Sequence, residues 1–235
     1  MTRAILASLL LTGTAIAQPS TVTPQQAVDK VEATYATAKG VTAKLDQTVV
    51  NTTMGQTTTS KATLVEDHGK FAADYTNKKD KLDKSFLFDG KDLWYVEHLG
   101  LKATQGPVSG NALPAVLTLL AGQKGAVAKE FTIAAPKNPS SLVPGGVVVE
   151  LTPKTSSATY KVVDVVIDPS KWTVTRTIVT DPQGNTTTYD LSNVDLNAKI
   201  DAKKFTFDPK NFPTYAIQKA PATTTTTTTT SPTKK

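Results

Sequence analysis

The chain has 235 residues, with 26 Lys and Arg against 20 Asp and Glu and a formal charge of +6. It contains no cysteine, which excludes disulfides, thiol catalysis, cysteine-ligated metal and anchoring through a lipid-modified cysteine. The basic excess is scattered except at Lys78-Lys79-Asp80-Lys81, where an acid interrupts the run. That is not the continuous basic face of a nucleic-acid binder.

Residues 1–17 read as a secretory signal: Arg3, an apolar run from Ala4 to Leu11, then Ala15-Ile16-Ala17 before Gln18, with cleavage expected after Ala17. The run is too short to span a bilayer. Residues 220–235 form a threonine run with proline and lysine, with almost nothing apolar to bury, and are expected to be disordered. Residues 18–219 remain, enough for one domain with its own core.

Thr23-Pro24-Gln25-Gln26 predicts a helix start. Thr23 suits the N-cap, Pro24 the first helical position, and Gln26 completes a capping box. Val28, Val31 and Tyr35 then share a stripe, and Lys39-Gly40 reads as the stop, giving a one-sided helix of roughly 15 residues. After Gly40 the period changes to two. Val41, Ala43 and Leu45 alternate with polar residues up to Val49-Val50, residues 51–59 read as a polar turn, and strands are expected at 61–65 and 69–75. Phe71, Ala73 and Tyr75 fall on one face of the second.

The run Phe86-Leu-Phe-Asp-Gly-Lys-Asp-Leu-Trp-Tyr-Val96 predicts a hairpin about Asp89-Gly90, a dipeptide suited to the positive φ of a type I′ turn. Both faces of it are apolar, so the second face needs a cover or a ligand. Residues 100–110 read as a loop. Residues 112–121 are apolar nearly all round, with Pro114 near the start, and predict a short helix covered on both sides. Strands follow at 126–134, 146–151, 160–168, 173–181 and 186–196, and Phe205 and Phe207 mark a last short one. Short turns imply antiparallel pairing. The expected fold is mainly β with α: a curved antiparallel sheet of about ten or eleven strands forming an open, unclosed barrel, its concave side capped by helices.

No Gly-x-Ser-x-Gly elbow, His-Glu-x-x-His pair or phosphate-cradling glycine loop is present. His68 and His98 read as surface or strand-end residues, and Trp94 and Trp172 as packing. No catalytic residue, metal ligand or cofactor is expected.

Asp89-Gly90-Lys91 with Leu93-Trp94-Tyr95, Leu113-Pro114-Ala115 with Leu117 and Leu120, Leu151-Thr-Pro-Lys154, Gly184-Asn185 through Asn193, and Phe205-x-Phe207 before Pro209 occur in an order that resembles the periplasmic outer-membrane lipoprotein carrier family (LolA-like). The resemblance covers residues 23–213. It implies an unclosed barrel with a lid, a periplasmic location, a monomer, and a non-enzymatic carrier of acylated lipoproteins. Its partners would be an inner-membrane lipoprotein-releasing transporter and an outer-membrane receptor. The expected cavity and lid residues are Leu45, Val49, Phe71, Leu87, Leu93, Trp94, Leu113, Val116, Leu117, Leu120 and Ile178. One departure stands out. The family's lid-latching arginine and the following proline correspond by spacing to Asp67 and His68. An ionised acid cannot donate hydrogen bonds to lid carbonyls. Either Lys70 substitutes, the lid is held otherwise, or the chain is a divergent member; the missing arginine favours a second reading, a regulatory or sensor module on the same scaffold that binds lipid or mislocalised lipoprotein. A third, a lipid-acting enzyme, lacks a visible nucleophile–base set.

Overall fold

A computed structural model describes residues 22–106, 120–137, 145–157 and 160–219. The signal and tail assignments, and Leu113, Val116 and Leu117, lie outside these residues.

Helix α1 spans Pro24–Ala36, and its start is the one the sequence predicts. The Thr23 hydroxyl accepts from the Gln26 N–H at 3.2 Å, and the Gln26 side chain accepts from the Thr23 N–H at 3.0 Å. The stop differs. Thr37 is the C-cap, and Gly40 is not a left-handed terminator. A Cβ at Gly40 would lie 2.7 Å from the Ala198 carbonyl oxygen, so glycine is required there because another chain segment crosses against it.

Among the described residues, twelve strands form one sheet: β1 (Val41–Asn51), β2 (Gln56–Asp67), β3 (Lys70–Thr76), β4 (Leu82–Phe88), β5 (Leu93–Glu97), β6 (Lys102–Gly106), β7 (Phe131–Ala134), β8 (Val147–Pro153), β9 (Val162–Asp168), β10 (Thr173–Thr180), β11 (Thr186–Asp195) and β12 (Ala216–Lys219). The spatial order is β12-β6-β5-β4-β3-β2-β1-β11-β10-β9-β8-β7. Its end strands, β12 and β7, do not pair, so the barrel is open. Neighbouring strands run antiparallel except β12 and β6, which are parallel.

Several boundaries correct the sequence reading. Gln56–Thr59 is strand rather than turn, because its threonines are β-branched and the long ladder to Thr48–Asn51 continues through them. β6 occupies part of the expected loop at 100–110. Residues 126–130 form a short helix, α2 (Ala126–Glu130), before β7. Phe205 ends a 3₁₀ turn (Ala202–Phe205) instead of starting a strand.

The β4–β5 hairpin closes by a different turn from the one predicted. Gly90 has φ +97°, but Asp89 is not left-handed. The Asp89 carboxylate instead accepts from the N–H groups of Lys91 (2.9 Å) and Asp92 (2.8 Å), making a four-residue loop. Those N–H groups hold the Asp89 carboxyl below its usual range. The two-residue turn with positive φ at both positions lies at His68 (49°) and Gly69 (89°), between β2 and β3.

The two apolar faces of β3–β5 differ. One joins the main core through Phe71, Ala73, Tyr75 and Leu93. The other carries Ala72, Leu87, Trp94, Val96 and Ala103, packed under Phe205, Phe207, Phe212 and Tyr215. Trp94 lies 5.0 Å from Phe207 between ring centroids, and Phe207 lies 4.8 Å from Phe212. The C-terminal segment is therefore a strap across the outer face. A hydrogen-bonded chain fastens it: Tyr215 O–H to His98 Nδ1 (3.1 Å), Nε2–H to Ser85 Oγ (3.0 Å), and Ser85 Oγ–H to Asp74 Oδ1 (2.5 Å). This direction uses each hydrogen once and needs a neutral imidazole.

Burial keeps His98 below its ordinary value of 6.5, against opposing pulls from Asp74 and Asp83. The unfolded chain therefore binds a proton more readily than the folded chain, and stability falls as pH drops below 6.5. His98→Asn is expected to flatten that part of the pH dependence, read as the difference in Tm between wild type and variant from about pH 7.5 down to about pH 5.

Candidate functional site: the concave apolar face

Alternation along each strand defines the concave side. Val41, Ala43 and Leu45 of β1 pair with Glu66, Leu64 and Ala62 of β2. Leu64 and Glu66 pair in turn with Ala73 and Phe71 of β3, and these with Phe86 and Phe88 of β4. Phe88 and Phe86 pair with Leu93 and Tyr95 of β5. On the other half, Val163, Val165 and Ile167 of β9 lie opposite Leu151, Val149 and Val147 of β8. Leu45, Leu64, Phe71, Leu93, Val149 and Val165 belong to one buried core, and Phe86, Phe88 and Val147 pack against it half-buried.

Helix α1 packs over β7, β8 and β10. Its buried stripe is Ala27, Val28, Val31, Glu32 and Tyr35. The concave face over β3–β5 carries an aromatic band instead. Phe71 and Phe88 lie 5.5 Å apart, Tyr75 and Phe86 5.9 Å, and Phe86 and Tyr95 4.9 Å. Phe86, Phe88 and Tyr95 are only half-buried. An apolar band left partly open on a concave surface is the arrangement that accepts apolar ligands.

The segment entering this core after residue 119 is pinned to α1. Leu120 is fully buried. A Cβ at Gly122 would lie 2.3 Å from the Ala36 nitrogen and 2.5 Å from the Tyr35 carbonyl carbon. The buried Glu32 carboxylate accepts from the Gly125 N–H (2.6 Å) and the Val127 N–H (3.1 Å), satisfying free donors at the start of α2. The Tyr35 hydroxyl accepts from the Val174 N–H (3.2 Å), beside the irregularity in the β9–β10 register.

Glu66 is buried at the β2–β3 turn and accepts from the Gly69 N–H at 2.7 Å. Burial raises its carboxyl pKa above the usual range. Asp67 contacts His68 Nδ1 at 2.5 Å. It therefore engages its own turn.

A polar strip crosses the band's edge. Ser60 donates to Gln47 at 2.8 Å, and Gln47 Nε2 lies 3.4 Å from the Tyr189 hydroxyl. Thr177, opposite Tyr189 and Val165, is fully buried, and its hydroxyl has no hydrogen-bond partner. Thr177→Val keeps the shape and removes the desolvated hydroxyl. It is expected to raise stability by about 1 kcal/mol, seen as a Tm increase of about 2–4 °C.

The site residues expected from sequence divide between the faces. Leu45, Phe71, Leu93 and Leu120 meet in the concave core. Val49 follows Leu45 on the same face but lies further along the β1–β2 hairpin, between Thr58 and Thr187. Leu87 and Trp94 form a cross-strand pair in the outer cluster under the C-terminal strap. Ile178 pairs with Asp164 and Thr188, out of phase with the inward Thr177 and Val179. A one-residue change of register moves a side chain across the sheet, so composition alone could not separate Leu87 from Phe86 or Phe88. Sequence reading also missed Glu32 and Gly122, whose partners are about 90 residues away along the chain.

The model of the outer membrane lipoprotein carrier protein LolA family matches residues 36–208. The chain belongs to the LolA family.

A comparison with curated proteins gives no match. Among solved structures, a LolA superfamily protein from Nitrosomonas europaea is 15% identical, covering 80% of this chain and 99% of that one at a TM-score of 0.46. A conserved protein from Thermus thermophilus is 10% identical, covering 83% and 98% at a TM-score of 0.50. A DUF1329 family protein from Desulfovibrio piger is 12% identical, covering 82% and 100% at 0.47. At such identities the likeness concerns the fold alone. The family match takes in β1 to the 3₁₀ turn at Ala202–Phe205, and so includes both halves of the concave face and part of the outer strap.

Proposed function

We propose that this chain is a periplasmic carrier that shields the acyl chains of lipoproteins on the concave face and moves them from the inner to the outer membrane. The observation that carries this reading is the half-buried aromatic band of Phe86, Phe88 and Tyr95, set in the concave face of an unclosed sheet. Family membership supports it. Each acyl CH₂ kept from water is worth about 0.8 kcal/mol, so one long chain represents on the order of 10 kcal/mol. A cargo with such a chain cannot cross an aqueous space unshielded. Release then requires a face that fits without locking, which half-covered rings provide better than a solid core. An inner-membrane transporter would load the carrier, and an outer-membrane receptor would unload it.

A transfer assay tests this. Labelled lipoprotein released from inner-membrane vesicles should reach outer-membrane vesicles only when the protein is added. Asp67 at the arginine position favours the alternative, a sensor that holds lipid or mislocalised lipoprotein and changes its affinity for a partner. Stable cargo binding without transfer would replace the carrier with that reading.

A further inference from the structure

One corner of the sheet presents apolar side chains that neither the concave face nor the strap uses. Leu82 opens β4, and Leu99 and Leu101 lie in the turn between β5 and β6. They are 41%, 66% and 45% exposed. The ladder brings them together. Lys84 pairs with Glu97, the His98 N–H donates to the Asp83 carbonyl at 2.8 Å, and the next step sets Leu82 level with Leu99. The Leu101 carbonyl accepts from the Ala216 N–H at 2.8 Å, which joins the start of β12 to this corner. Ile217, 43% exposed, follows on that strand.

The β3–β4 loop leaves the sheet beside Leu82, because Thr76 pairs with Leu82. It reads Asn77-Lys78-Lys79-Asp80-Lys81, with all three lysines exposed. The Asn77 side chain accepts from the N–H groups of Lys79 (2.8 Å) and Lys81 (3.2 Å), so the loop is shaped by its own hydrogen bonds. Exposed leucines beside exposed lysines present two chemistries at once.

Charge decides among occupants. Lys78, Lys79 and Lys81 outnumber the exposed Asp80 in this loop, so a second copy of the corner would set a net positive loop against its like. Residues 220–235 have no acid and no large apolar side chain, and end in Lys234-Lys235. They complement neither feature. An anionic bilayer complements both: its phosphates attract lysines, and its interfacial region takes up leucines. We propose that Leu82, Leu99 and Leu101, with Lys78, Lys79 and Lys81, form a docking surface for anionic lipid bilayers.

Flotation with phosphatidylcholine vesicles, with and without phosphatidylglycerol, tests this. The protein is expected to float with the anionic vesicles and to release as salt rises. The double variant Leu99→Ser, Leu101→Ser and the triple variant Lys78→Gln, Lys79→Gln, Lys81→Gln should each weaken binding about tenfold or more. These side chains are exposed, and an unchanged Tm verifies the fold. A variant impaired in acyl binding, Phe88→Asp, should still dock, which separates docking from extraction of lipid onto the concave face. Equal binding to neutral vesicles, no binding to either kind, or no effect of the leucine and lysine substitutions overturns the proposal.

Discussion

Phe88→Asp is expected to weaken binding of an acylated peptide about a hundredfold while leaving the protein folded. The Phe88 ring sits 5.5 Å from Phe71 on the concave face and is only half-buried. The ligand would complete its burial. Replacing the ring with a carboxylate removes apolar area worth about 2 kcal/mol and sets a charge where an acyl chain would strip its water. Because the side chain is partly exposed without ligand, the stability loss should stay below about 2 kcal/mol. Phe88→Leu, which keeps the surface apolar, should retain affinity to within about threefold. Titration of a fluorescent acylated peptide, with Tm measured in parallel, checks both parts. Loss of binding with equal loss of fold would assign Phe88 to the scaffold.

Gly122→Ala is expected to cost about 3 kcal/mol, lowering Tm by about 6–12 °C. Two terms add. The residue has φ +61°, which penalises any side chain, and the new Cβ would lie within 2.3–2.8 Å of backbone atoms of Tyr35 and Ala36. Neither helix backbone nor turn can move aside cheaply. Thermal unfolding monitored by circular dichroism reads the effect. Gly125→Ala is the control, because it shares the positive φ (+75°) but has nothing within 4 Å of the added carbon. It should lose only the conformational part, about 1 kcal/mol. A Gly122 variant as stable as the Gly125 variant would show that close packing against α1 contributes nothing.

The parts legible in the sequence are those written locally. The capping box at Thr23–Gln26 sets the start of α1, and two-residue alternation through Val41–Leu45 and Phe71–Tyr75 sets strands and the inward face. The apolarity of both faces of 86–96 implies a cover or a ligand for the second face, and on the outer face the cover is the chain's own segment around Phe205–Tyr215. Which face meets which cover is not written locally, because Leu87 and Trp94 are as apolar as Phe86 and Phe88. Thr57–Thr59 reads as a turn because nothing apolar marks it, yet the ladder to β1 carries it as strand. Pairings between distant residues, such as Glu32 with Gly125 or His98 with Tyr215, leave no local signal. His98 therefore reads as a surface residue, although it links the outer strap to β3 through Ser85 and Asp74. Ser85 does not make a nucleophile with it. The serine is buried, and its proton is held by Asp74.

The most direct measurement is photo-crosslinking of an acylated peptide carrying a diazirine on its fatty chain, with the labelled residues mapped by mass spectrometry. Saturable labelling concentrated on the inward residues of β3, β4 and β5, with Phe86, Phe88 and Tyr95 foremost, is the predicted result. Labelling confined to the outer cluster around Trp94 and Phe207, or none at saturating probe on folded protein, would contradict the account.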